Sequence, residues 1–130
     1  MLEEARRLAV PVSSAARAVP RALLHAPVGA KLLAELGLRD EVVLRAVASH
    51  TVGRPGMTPL ELLVYTADFC EPGRTHEGSA EVREILFRDL KAGAREATAR
   101  TLMYLVRSER QIDVATVKTW NDLVKHAKED

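Results

Sequence analysis

At 130 residues, 1–130 is the length of one domain, able to bury roughly two-thirds of the surface its unfolded chain exposes. A hydrophobic content of 47% with helical periodicity excludes a disordered chain. Lys+Arg 19 against Asp+Glu 18 leaves a net charge of +1, no field for nucleic acid or an anionic membrane, and 4% aromatic residues provide no base-stacking platform.

A lone Cys70 excludes an internal disulfide and fits a reducing compartment. No apolar run approaches the roughly 18 residues of a membrane span. Met1 to Arg7 reads as an amphipathic helix start without the apolar core of a signal peptide, so the cytoplasm is the expected setting.

In chain order, Leu2, Ala5, Leu8 and Ala9 share one side of a short helix that ends before Pro11. Ser13 or Ser14 caps a brief turn through Ala15–Val19. Pro27 is placed for the first turn of the next helix, which His25 opens. Its buried stripe is Val28, Leu32, Leu33 and Leu36, with Gly37 as the stop. Asp40 caps a helix in which Val43, Ala46, Val47 and His50 recur at helical spacing, so His50 points inward. Gly53 to Gly56 breaks it. Thr58, Pro59 and Glu61 form a capping box for a helix from Leu60 to Phe69 that is apolar on nearly every side and is expected at the centre. Asp68 shares a face with Leu60, Val64 and Ala67, which predicts a buried carboxylate in need of a compensating cation or donor set.

Ser79 caps a helix with Val82, Ile85 and Leu86 inside. A longer helix from Asp89 to Val106 buries Leu90, Ala94, Ala97, Thr101, Leu102 and Leu105. Asp113 caps the last, whose stripe is Val114, Val117, Trp120 and Val124. There is no strand alternation, repeat or low-complexity tract. The expected fold is all-α, a single-domain helical bundle of about six or seven helices around Leu60–Phe69.

His25, His50 and Asp68 are the candidate metal ligands, since imidazole and carboxylate suit iron, manganese or zinc. The bland reading stays open beside it: an inward histidine satisfied within the core, and Asp68 paired with Arg74 or Arg54. Arg54 and Arg74, on two glycine-bearing loops, suit phosphate oxygens or simply solvent. Thr51 either caps or bonds a phosphate. Cys70 and Trp120 read as packing, and His76 and His126 as solvated.

Three stretches carry a resemblance: His25-Ala26-Pro27-Val28-Gly29-Ala30, Ser49 to Met57 (Ser-His-Thr-Val-Gly-Arg-Pro-Gly-Met), and Tyr65 to Arg74 (Tyr-Thr-Ala-Asp-Phe-Cys-Glu-Pro-Gly-Arg). Over roughly Leu2–Val124 the chain resembles the bacterial YqeK family of HD-superfamily phosphohydrolases. Members are all-helical symmetrical bis(5′-nucleosyl)-tetraphosphatases that split diadenosine tetraphosphate into two ADP on a dinuclear, usually iron, site. The resemblance implies His25, His50 and Asp68 as metal ligands, with His50 and Asp68 catalytic. It implies His50, Thr51, Asp68 and Arg74 as nucleotide contacts, and Gln111, Ile112, Asp113, Val114, Ala115 and Thr116 as a looser match to a segment that closes over the nucleotide.

The family begins with a helix bearing one metal-binding histidine, followed by a helix ending in the His-Asp pair. Neither has a counterpart here, and Met1–Leu24 resembles what comes after them. The resemblance therefore implies either a longer natural protein, whose earlier helices complete the ligand set, or a shortened and inactive product, and the ligand positions and Arg74 still present favour the first. It also implies apolar faces on the His25 and His50 helices, open to a homodimer or a filling partner. The competing class is a non-catalytic helical module that binds nucleotide or protein, with Asp68 held by arginine.

Overall fold

The computed structural model describes residues 1–74 and 78–127; His76 and the side chain of His126, expected in solvent, lie outside the described residues. Eight helices and no strand stand among them: α1 (Leu2–Arg7), α2 (Ser14–Ala18), α3 (Pro20–Glu35), α4 (Glu41–Ser49), α5 (Pro59–Cys70), α6 (Ser79–Arg88), α7 (Leu90–Arg107) and α8 (Val114–Ala127). The all-α expectation holds, with one helix more than the higher count because α1 and α2 both close.

Local chemistry sets most of the boundaries. Side chains of Ser13, Asp40, Thr58, Asp89 and Asp113 each accept backbone N–H groups in the first turn of the helix that follows. Gly78, not Ser79, occupies the cap position of α6, and the Ser79 hydroxyl donates to the Arg74 carbonyl instead.

Three clusters make the core. Ala5, Leu8, Val10, Ala16, Leu24 and Val28 join α1 and α2 to α3. Leu62 and Tyr65 of α5 meet Ala94 of α7 and Leu123 of α8. Cys70, Val82 and Ala97 close α5, α6 and α7 together, and burial pushes the Cys70 thiol above its usual range. With α4 against it as well, α5 is the central helix. The α6–α7 approach depends on Gly93, where a Cβ would meet the Leu86 Cα at 2.9 Å.

Four expectations are corrected. First, α3 begins at Pro20 and runs through Pro27, so His25 lies inside it rather than opening a later helix. Pro20 suits the first position. Burial of Leu24, Ala26, Val28 and Ala30 along one helix outweighs the backbone bond that Pro27 cannot make. Second, Leu36 is 84% exposed, since it caps the helix end and turns away from the stripe.

Third, the Asp68 side chain is 46% exposed. Asp68 does share a face with Leu60, Val64 and Ala67, but that is the open side of α5. Leucine and valine surround the helix, so periodicity does not choose its buried face. Glu61 does, drawn fully inside by its partners together with Leu62, Tyr65 and Thr66. Asp68 is therefore not a buried carboxylate and needs no cation to offset desolvation. Fourth, α8 is rotated from its valine stripe: Val114 and Val117 are 63% and 39% exposed, while Thr116, Thr119 and Leu123 are buried. The Thr119 hydroxyl lies 2.9 Å from the Val52 carbonyl and 2.8 Å from that of Ala115, so its burial leaves no unmet donor.

Candidate functional site

The α3–α4 pair brings His25 and His50 together. His25 projects from the second turn of α3, and His50 stands at the C-cap of α4. Their rings meet edge-on, centroids 4.9 Å apart and inclined at 64°. His25 Nδ1 lies 2.9 Å from the Arg21 carbonyl, and His50 Nδ1 lies 2.5 Å from that of Val47. A carbonyl only accepts, so both Nδ1 atoms carry a proton, and the Nε2 of a ring with no second proton keeps its lone pair. Those two Nε2 atoms are 3.0 Å apart. Thr51 Oγ1, 3.2 Å from His25 Nε2, is the hydroxyl donor in reach.

Two lone pairs facing each other at this distance would repel, so the contact needs a shared proton or a metal cation between them. Backbone carbonyls that fix the Nδ1–H tautomer are also what orients histidines for metal. The donor chemistry of this pair therefore fits a divalent metal. The set is not closed, however: among the described residues no group of three or more His, Cys, Asp or Glu is placed to hold an ion.

Asp68 does not join the two imidazoles. It lines, with His50, Thr51, Tyr65, Phe69, Ala97 and Thr101, a cavity of about 110 Å³. That is room for three or four waters of about 30 Å³ each. The Asp68 carboxylate accepts from Arg74 Nη2 at 3.3 Å, while Arg74 Nε donates to the Asp68 carbonyl at 3.1 Å and faces Glu71 at 3.7 Å. Arg74, half exposed, is thus presented beside the cavity by the end of α5.

Arg54 goes elsewhere. Its guanidinium grips Glu61 with Nε on Oε2 at 2.7 Å and Nη2 on Oε1 at 2.6 Å, which takes it from any phosphate. The Gln111–Thr116 segment crosses the start of α2: Ser13 Oγ donates to Asp113 at 2.6 Å, and Ser14 Oγ to Gln111 at 2.9 Å. Asp113 edges a separate cavity of about 350 Å³, whose walls include Leu24 and Val52, the chain neighbours of His25 and Thr51. Val114 faces solvent and Thr116 is buried.

Sequence reasoning missed Tyr65, Phe69, Ala97 and Thr101 as cavity walls. Burial holds the Tyr65 hydroxyl above its ordinary pKa, against its 2.6 Å bond to Thr98. It also missed the buried partnership of Ser49 with Glu61. The one available signal was a glutamate inside an otherwise apolar helix, and the capping box already accounted for it.

No family model matches the chain. Three relatives, each named symmetrical bis(5′-nucleosyl)-tetraphosphatase, do. The Bacillus subtilis protein is 42% identical over 103 residues, 78% of this chain and 55% of its own length. That of Halalkalibacterium halodurans is 37% identical over 107 residues, covering 82% and 57%, and that of Staphylococcus aureus 35% over 102, covering 76% and 53%. Over the matched stretch the chain is similar to these proteins named symmetrical tetraphosphatases. The fold agrees: a solved structure from Clostridium acetobutylicum, described as a predicted HD-superfamily hydrolase involved in NAD metabolism, superposes with a TM-score of 0.89 at 28% identity. It covers 96% of this chain and 66% of the Clostridium chain. The chain spans about half the length of the curated relatives it matches. Among the described residues, no helix is long and apolar enough to cross a membrane.

Proposed function

We propose that this chain carries part of the site of a metal-dependent phosphohydrolase that splits diadenosine tetraphosphate symmetrically into two ADP. The observation that carries it is the pair of Nε2 atoms converging at 3.0 Å, in a chain 42% identical over 103 residues to a named tetraphosphatase. In this reading His25 and His50 hold a divalent metal, iron by the family resemblance. A bound divalent metal supplies Lewis acidity toward phosphoryl oxygens and an activated water.

The chain's own groups do the rest. Asp68, on the wall next to His50, is the carboxylate that orients the nucleophile. Arg74 turns its guanidinium from Asp68 and Glu71 toward the phosphates, where developing negative charge strengthens its bonds. Thr51 offers a hydroxyl to substrate or to His25, and the Gln111–Thr116 segment borders the nucleotide. A 110 Å³ cavity admits a phosphate and not a nucleoside, so the nucleosides lie outside it. The cytoplasm is the matching compartment.

The test is incubation of the chain with diadenosine tetraphosphate and Fe²⁺ or Mn²⁺, with products resolved by ion exchange. ADP as sole product, lost in Asp68→Ala, supports the reading. A mixture of ATP and AMP contradicts it, as does a chain that neither hydrolyses the substrate nor binds Mn²⁺ through His25 and His50. One observation favours a second reading, a nucleotide-binding module without catalysis: no third ligand stands near the histidines among the described residues. Saturable binding of ADP that Arg74→Ala weakens, with no turnover, identifies that module.

A further inference from the structure

We infer that Glu61 is a positioning residue for the His50–Thr51 corner. The inference rests on the reading of His50 as a metal ligand.

Glu61 is 0% exposed. A capping box needs from it only the bond to the Thr58 N–H, and that is the longest it makes, 3.4 Å. A glutamate reaches a cap from solvent, so capping alone does not explain burying a charge. The shorter bonds go to the chain on either side of His50 and Thr51. Ser49 Oγ, of the residue before His50, shares its one proton between Glu61 at 2.9 Å and the Arg45 carbonyl at 2.8 Å, and Arg54, three residues after Thr51, forks onto both Glu61 oxygens at 2.6 and 2.7 Å. One carboxylate thus ties the last residue of α4, the loop and the start of α5 around the two residues that meet His25.

Burial alone raises the carboxyl pKa. The bonds from Arg54, Ser49 and Thr58 more than offset it and hold Glu61 ionised. The charge matters to the geometry, because a two-pronged guanidinium needs two acceptor oxygens and a carboxamide has only one. The histidines require that rigidity: two nitrogens meant for one ion have to be held to within about half an ångström.

The test compares the full chain with Glu61→Gln, at one fixed pH above the imidazole range, by long-range ¹H–¹⁵N spectra of the histidine rings and by calorimetric titration with Ni²⁺ alone. Val82→Ala, a core truncation away from the corner, controls for lost stability. The expected result is an intact helical circular dichroism spectrum, mixed tautomers for His50, loss of the His25–His50 ring Overhauser contact, and Ni²⁺ affinity reduced at least tenfold, the effect of outer-shell partners on metal sites. Val82→Ala leaves the ring spectra as in the parent. Should Glu61→Gln fail to fold, Ser49→Ala, which keeps the Arg54–Glu61 pair, shows the same spectral change in weaker form. Parent-like ring spectra in the folded variant overturn the inference. A parent that binds no Ni²⁺ overturns the metal reading instead, while the ring spectra still decide the role of Glu61.

Discussion

His25 and His50 each give their Nδ1–H to a backbone carbonyl, and so meet through Nε2 atoms 3.0 Å apart. This contact is unfavourable between two bare nitrogens and favourable with a shared proton or a metal ion between. Adding Ni²⁺ at a hundredfold excess over its dissociation constant is expected to raise the unfolding free energy by about 2.7 kcal/mol. His25→Ala, at an exposed position, is expected to leave metal-free stability within about 0.5 kcal/mol of the parent and to abolish the metal increment. Urea unfolding with and without Ni²⁺ checks both.

Asp68 separates function from stability. Its pair with Arg74 is made with side chains 46% and 50% exposed, a class of ion pair worth about 0–1 kcal/mol. Asp68→Ala is therefore expected to unfold in urea within about 1 kcal/mol of the parent. If it instead unfolds several kcal/mol earlier, the carboxylate is structural and its role beside the cavity is wrong.

Glu61 behaves oppositely. Removing one member of a fully buried ion pair costs about 3–5 kcal/mol, but Arg54 is 40% exposed and can turn to water, so Glu61→Ala is expected to cost about 2–3 kcal/mol. Its carboxyl pKa is held below the ordinary 4.5 by Arg54, Ser49 and the Thr58 N–H acting against burial. A lowered folded pKa contributes stability in full above the unfolded value and loses it as pH falls through the folded one. The parent is thus expected to lose stability below about pH 4.5 more steeply than Glu61→Gln, which has no such proton to take up. Parallel pH profiles would show that the fold does not shift the Glu61 carboxyl from its unfolded value.

Gly53 ties the same corner to α8. Its φ is +73°, and a Cβ there would lie 2.7 Å from Thr119 Cγ2. Left-handed strain of about 1–2 kcal/mol and overpacking of about 1–3 kcal/mol both oppose a side chain. Gly53→Ala is expected to lower stability by about 2–4 kcal/mol and to speed exchange of the amides of α8. Unchanged exchange in α8 would mean that the loop moves without it.

Much of this was legible in the chain because it is local. Asp40, Thr58, Asp89 and Asp113 announce helix starts by side-chain bonds to the next turn, and Gly37 ends α3 with φ +104°. The meeting of His25 with His50 was not legible from spacing; the motif resemblance supplied the pair, and the structure supplied its tautomers. Pro27 misled because helix-breaking is a local tendency, and the packing of Leu24 and Val28 overrode it. Asp68 misled because α5 is apolar all round, so its inward side is decided by the distant Arg54 and Ser49 through Glu61.

The histidine pair as a shared metal site is the claim on which the functional reading stands, and substoichiometric Mn²⁺ tests it in one spectrum. Paramagnetic broadening of the Nε2 signals of His25 and His50 together, ahead of every other ring and carboxylate, is the predicted result. Broadening of neither, or of one without the other, would contradict it.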